Sequence, residues 1–180
     1  MSTHKALICV AALALAVSSR LACAEGPNLG TPIDPNDLAG WDISVMPDGA
    51  SLPAGSGTPA QGERIYAEKC VACHGEDGKA TGGMPISPLF GGGKITDISA
   101  MMKTIANFWP YSTTLFDYIR RAMPWTQPRS LTDDEVYALT AYLLAKNKLI
   151  GETETMNAET LPKVRMPNRN GFIIRFPDKI

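Results

Sequence analysis

The chain has 180 residues, with 17 basic against 18 acidic side chains for a net charge of −1, and it carries 14 prolines, 16 glycines, four cysteines and two histidines. That balance excludes the basic footprint of a nucleic-acid-binding protein. No apolar run approaches the roughly 20 residues that a membrane-spanning helix needs.

The first segment, residues 1–24, reads as a secretory signal peptide. His4 and Lys5 form a basic start, Ala6 to Val17 is an apolar run, and Ala22-Cys23-Ala24 fits a small-x-small cleavage site before Glu25. Acylation of Cys23 is the weaker alternative, because Arg20 stands where an aliphatic residue is expected. Cleavage removes Lys5 and Arg20 from the basic count and no acidic residue, which moves the net charge from −1 to −3. It also removes His4, Cys9 and Cys23, leaving Cys70, Cys73 and His74 as the cysteines and histidine of an exported, periplasmic protein.

Residues 25–57 are rich in Pro, Gly and Asp, and Pro27, Pro32, Pro35, Pro47 and Pro53 interrupt any regular element. Trp41, Ile43, Val45 and Met46 are more apolar than a solvated leader would hold, so the segment is expected to be an extended arm that packs on the domain. The first helix opens at Thr58, an N-cap with Pro59 at N1 and Gln61 completing a capping box. It is expected to run through Gly62, Tyr66 and Cys70, spaced by four along one face, with Gly62 allowing close approach of another helix.

Cys70-Val71-Ala72-Cys73-His74 follows. Two thiols three residues apart and an adjoining imidazole are what covalent attachment of a c-type haem requires. On a helical turn the two cysteines share a face, within reach of both vinyl groups of one porphyrin, and His74 lies on the same side to bind the iron. Three rivals are weaker. Zinc needs four ligands, so carboxylates would have to complete the set. A thioredoxin-like pair belongs beside a βαβ pattern, which is absent. A disulfide across two intervening residues would staple little.

Residues 75–94 read as loop, with glycine hinges at 82–83 and 91–93. A metal-bound imidazole usually donates its other N–H to an acceptor, and the Pro88 carbonyl in Ser87-Pro88-Leu89 is the candidate, with a simple turn proline as the alternative. A short helix is expected from about 97 to 108 and another from about 113 to 121, capped by Ser112. The last helix is the best marked. Thr132 and Glu135 form a capping box, Leu131 and Val136 a hydrophobic staple, and Val136, Leu139, Thr140 and Leu143 a buried stripe that ends near Lys146 and Asn147. Residues 151–180 are again an aperiodic arm, and no sheet is expected. This gives one domain, residues 58–150, whose small core a haem would complete.

His74 is the sole histidine after cleavage, so a bis-histidine iron is excluded and methionine is the expected sixth ligand. Of Met84, Met101, Met102, Met123, Met156 and Met166, Met123 is best placed: it follows a helix, precedes Pro124 and lies before the final helix. Met84 is the alternative. Arg120, Arg121 and Arg129 flank the methionine loop, where one could pair with a haem propionate, and Trp109, Tyr111 and Trp125 read as core or haem packing.

These residues resemble the monohaem class I cytochromes c. Gln61-Gly62-Glu63-Arg64-Ile65-Tyr66 leading into Cys70–His74, then Pro88-Leu89, Met123-Pro124 and the final helix carry the likeness. Trp41-Asp42-Ile43, Pro47-Asp48-Gly49, Gly55-Ser56-Gly57, Trp109-Pro110-Tyr111, Phe116 to Pro124 and Met166 to Phe172 extend it to cytochrome subunits of bacterial sulfite and sulfur dehydrogenases. The resemblance implies an all-α fold of four or so helices around one covalent haem c. It also implies electrons taken from a periplasmic molybdenum dehydrogenase for sulfite or a related sulfur compound, and passed to a downstream cytochrome or oxidase. A different donor, such as an alcohol dehydrogenase, is the nearest alternative. A haem peroxidase or a ligand sensor would need an open iron position, and a peroxidase also a distal acid–base group.

Overall fold

The structure is a computed structural model that describes residues 29–97, 99 and 102–173. The leader, with Cys9 and Cys23, and Met101 lie outside the described residues. The chain divides into two compact units, one ending at Asp42 and one beginning at Ile43. In the first, a five-residue helix, α1 (Pro35–Ala39), is capped by Asp34, whose side chain accepts from Asn36 N–H at 2.8 Å. A helix there was not expected among so many prolines; Pro35 sits in its first turn, where the missing N–H costs nothing.

The second unit is mostly helical. It contains α2 (Pro59–Lys69), α3 (Val71–His74), α4 (Ile105–Phe108), α5 (Ser112–Ala122) and α6 (Asp133–Lys146), with a 3-10 turn at Leu161–Lys163. Two short strands, β1 (Ser56–Gly57) and β2 (Met156–Asn157), pair antiparallel, Gly57 opposite Met156. This pairing corrects the expectation of no sheet.

The capping boxes at Thr58–Gln61 and Thr132–Glu135 form as the sequence predicts. A third, Thr104–Asn107, starts α4 and replaces the longer helix expected from residue 97. Ser112 is the first residue of α5 rather than its cap, and its hydroxyl donates to the Leu161 carbonyl at 2.6 Å.

α6 is buried on nearly every side from Val136 to Leu144, more completely than a single stripe, and is the central element. It meets α2 and β1 backbone to backbone. A methyl on Gly62 would collide with the Ala138 carbonyl, and one on Gly57 with the Ala138 amide. Tyr66, one turn beyond Gly62, packs on Tyr142 with ring centroids 5.1 Å apart, and Phe116 of α5 packs on Tyr137 at 4.5 Å.

Residues 43–57 lie along this core. Val45 and Leu52 pack against it, Tyr137 Oη–H donates to the Pro53 carbonyl at 2.9 Å, and Ser56 N–H donates to Asp134 at 2.7 Å. Met46 is exposed. From the other arm, Met156, Leu161, Val164 and Met166 are buried in the same core.

Lys69 Nζ meets Glu135 Oε1 at 2.6 Å, joining the end of α2 to the first turn of α6. That bond, followed by the Thr132 backbone N–H, holds the Glu135 carboxyl below its ordinary range. A depressed carboxylate stabilises the fold above its unfolded pKa, and the contribution is lost as pH falls through the folded value. Glu135→Gln, which keeps an acceptor for the capping box, is therefore expected to cost about 0.5 kcal/mol at neutral pH. Urea unfolding should show that deficit closing as the pH falls below about 4.

Candidate functional site

The Cys70–His74 segment is one tight turn. α2 ends at Lys69, Cys70 breaks the helix at φ −122°, and α3 resumes it to His74. The amides of Cys73 and His74 both donate to the Cys70 carbonyl, at 3.1 and 2.9 Å. Gly75 closes the turn at φ +66°, a left-handed value that glycine adopts freely, and its amide donates to the Val71 carbonyl at 2.8 Å. The buried Tyr66 hydroxyl donates to the Gly75 carbonyl at 2.8 Å, which locks the turn to the core.

Both thiols are free, Cys70 half-buried and Cys73 exposed. Burial pushes the Cys70 thiol up to about 11, with Lys69 opposing and Cys73 adding to the rise. Among the described residues no group of three or more His, Cys, Asp and Glu is arranged to hold a metal ion.

His74 is half-buried, and desolvation lowers its pKa, favouring the neutral imidazole that ligates metals. Its Nδ1 is buried without a hydrogen-bond partner, so no bond joins it to the Pro88 carbonyl in this structure. A half-buried neutral imidazole beside two free thiols fits a site completed by a bound group. At the margin of the core, Ile65, Val71, Leu89, Phe90, Trp109 and Met123 are half-buried apolar side chains, a lining that would suit the apolar body of a porphyrin.

The loop that carries Pro88 is held at both ends. Thr81 N–H donates to the Cys73 carbonyl at 3.0 Å, and its hydroxyl to the Ala72 carbonyl at 2.6 Å. Asn147, the C-cap of α6, donates through Nδ2 to the carbonyls of Leu89 (3.0 Å) and Leu143 (2.8 Å) and accepts from Gly91 N–H at 3.0 Å. From the sequence alone Asn147 marks only a helix end, its one signal being an amide side chain at a C-cap.

Met123 is the C-cap of α5, half-buried against the core, and its peptide bond to Pro124 is cis. Pro124, Thr126, Gln127 and Ser130 share an open cleft of about 340 Å3 with Glu68 and Lys69, which places the methionine loop beside the residues leading into Cys70. Met156 and Met166 are 2% and 3% exposed and occupied in packing, whereas Met102 is 61% exposed. Met84 is half-buried in the loop tied to the histidine turn, its amide donating to the Thr81 carbonyl at 3.3 Å.

Of the three flanking arginines, Arg120 pairs with Asp133 and Arg121 with Asp117 within the protein. Trp109 packs edge-on against Tyr118 at 5.5 Å, and Arg169 lies over Tyr111 at 5.2 Å. Trp125, expected in the core or against the haem, is 81% exposed.

The model of the family described as cytochrome c matches residues 59–146. A thiosulfate dehydrogenase of Stutzerimonas stutzeri strain A1501 is 33% identical over 116 residues, which is 57% of this chain and 35% of that protein. The chain thus spans about a third of the length of this relative. A chain in the crystal structure of the sulfane dehydrogenase SoxCD from Paracoccus pantotrophus aligns with a TM-score of 0.75 and 36% identity, covering 86% of this chain and 73% of that one.

Removing the Asn147 side chain frees three bonds at once, two of them holding the loop around Pro88. Asn147→Ala is expected to destabilise the protein by about 2 kcal/mol, as measured by urea unfolding.

Proposed function

This chain belongs to the cytochrome c family, and on that premise we propose that it is a periplasmic monohaem carrier of single electrons from a sulfur-compound dehydrogenase to the respiratory chain. The observation that carries the reading is the Cys70–His74 turn, which holds every cysteine and histidine among the described residues. Membership of the family implies covalently bound haem c.

When bound, haem c supplies an iron that cycles between ferric and ferrous. Cys70 and Cys73 would provide the thioether sulfurs, and His74 would ligate the iron. Met123 would be the second iron ligand, a reading supported by its place at the end of α5 and by the burial of Met156 and Met166 in packing. The Pro88 carbonyl is the acceptor proposed for the imidazole N–H that the structure leaves unpartnered. The half-buried apolar side chains would help exclude water from a bound haem, and the tied turn and loop would limit rearrangement between its oxidation states.

The donor rests on the relatives' names, a thiosulfate dehydrogenase and a sulfane dehydrogenase, and on the resemblance to cytochrome subunits of molybdenum enzymes. A downstream cytochrome or oxidase is the acceptor. Docking with either partner suits a small, weak interface that permits turnover. Among the described residues no helix is long and apolar enough to cross a membrane.

The first relative favours a second reading, in which thiosulfate is oxidised at this chain's own haem. The two readings differ in whether thiosulfate alone reduces the purified protein. For a carrier, reduction requires the dehydrogenase together with its sulfur substrate, and stopped-flow mixing should show it only then. The ferric protein should carry the absorption band of methionine–iron ligation, lose it in Met123→Ala, and bind carbon monoxide poorly when reduced. Ready carbon monoxide binding without that band would overturn the carrier assignment, while a band that survives in Met123→Ala would move the ligand to Met84.

A further inference from the structure

The segment Ile43–Val45 is fastened to the last turn of α5, the turn that delivers Met123. Arg120 Nε donates to Asp133 Oδ1 at 3.1 Å, and its Nη1 donates to the Ile43 carbonyl at 3.5 Å. Arg121 grips Asp117 with two bonds, from Nε at 2.8 Å and Nη2 at 3.0 Å, and Nη2 also donates to Ser44 Oγ at 3.1 Å. Asp117 Oδ1 in turn accepts from Val45 N–H at 3.2 Å. The pairs are partly shielded, with side-chain exposures between 22% and 38%. A two-bonded arginine–carboxylate fork fixes orientation as well as distance.

This linkage sits where α5 is otherwise weakest. The final carbonyls of a helix have no partners within it, and helix ends open first. Met123 is the first residue beyond the helix, joined to it by its own amide on the Ile119 carbonyl at 3.1 Å. Arg120 ties the same turn forward to Asp133 in the first turn of α6. The strap and Asp133 thus brace the end of α5 from two directions.

We propose that Arg120, Arg121 and Asp117, bound to the Ile43–Val45 strap, are positioning residues that hold Met123 against the haem iron and slow its replacement by outside ligands. The proposal rests on Met123 as the axial ligand. A side chain placed by rigid neighbours meets its metal without paying to be ordered each time, whereas one on a fraying turn leaves the site open to competitors.

The test uses the haem-loaded full chain and imidazole as the competing ligand. The rate of imidazole binding to the ferric protein is followed at the methionine–iron band in the parent, Asp117→Ala, Asp117→Asn and Thr58→Ala. The last removes a helix cap at the opposite end of α2 from the Cys70–His74 turn and controls for a general loss of stability of about 1 kcal/mol. Asp117→Ala is expected to bind imidazole about tenfold faster, Asp117→Asn by an intermediate factor, and Thr58→Ala at the parent rate. If Asp117→Ala does not fold, Arg121→Lys, which keeps the charge but loses the fork, is read in the same way. A parent-like rate in the strap variants, or equal acceleration in Thr58→Ala, overturns the positioning role. Met123→Ala separates the two claims: a band that persists there overturns the ligand assignment itself, whereas a band lost there beside an unchanged rate in Asp117→Ala overturns the strap alone.

Discussion

The contact on which the rest of the second unit depends is the passage of α6 against two glycines, Gly57 and Gly62, at Ala138. With no side chain between them, the backbones of α2 and α6 approach so closely that Tyr66, one turn after Gly62, is driven onto Tyr142 and is left 2% exposed. Burial makes its hydroxyl find an acceptor, and the acceptor is the carbonyl of Gly75, which closes the Cys70–His74 turn. The Lys69–Glu135 pair holds the end of α2 just before Cys70. Position and orientation of the cysteine pair thus follow from a glycine contact two turns upstream, and a side chain larger than hydrogen at Gly62 would move the whole turn.

A second organising element is α5, which both arms grip. At its start Ser112 bonds the Leu161 carbonyl, and Asn168 donates to the Phe108 carbonyl at 2.7 Å just before it. Along it, Thr113 reaches the Pro47 carbonyl at 3.4 Å, and at its end Asp117, Arg120 and Arg121 hold residues 43–45. The β1–β2 pairing then joins the two arms to each other. A helix of 11 residues is marginal by itself in water. Its order comes from these contacts and from burying Leu115, Phe116 and Ile119.

What the sequence could show was set by distance along the chain. The boxes at Thr58–Gln61 and Thr132–Glu135 close over three residues, so their pattern is complete in the sequence. The Cys70–His74 turn is equally local. The helix expected from residue 97 was overextended because Asn107, which looks like an ordinary interior residue, is buried and spends its amide on the Met102 and Gly93 carbonyls and the Thr104 N–H. Those bonds favour a loop up to Thr104 and a start at Ile105. Strands of two residues separated by about a hundred positions have no periodicity to detect. Met156 and Met166, weighed as ligands, are core residues for a reason that only the fold supplies.

The Cys70–His74 turn and the end of α5 are therefore specified in different ways. The turn is written in five consecutive residues and a tyrosine one turn before them. The end of α5 that carries Met123 has no local signature beyond Met123-Pro124; it is held by residues 43–45, by Asp133 across the loop, and by an arm that anchors the other end of the helix. A side chain at the end of a short helix does not stay in place unaided, because helix ends open first. The arms, which look like linkers in the sequence, thus reach both ends of α5. They fix the helix that carries Met123, although none of their residues belongs to the Cys70–His74 motif.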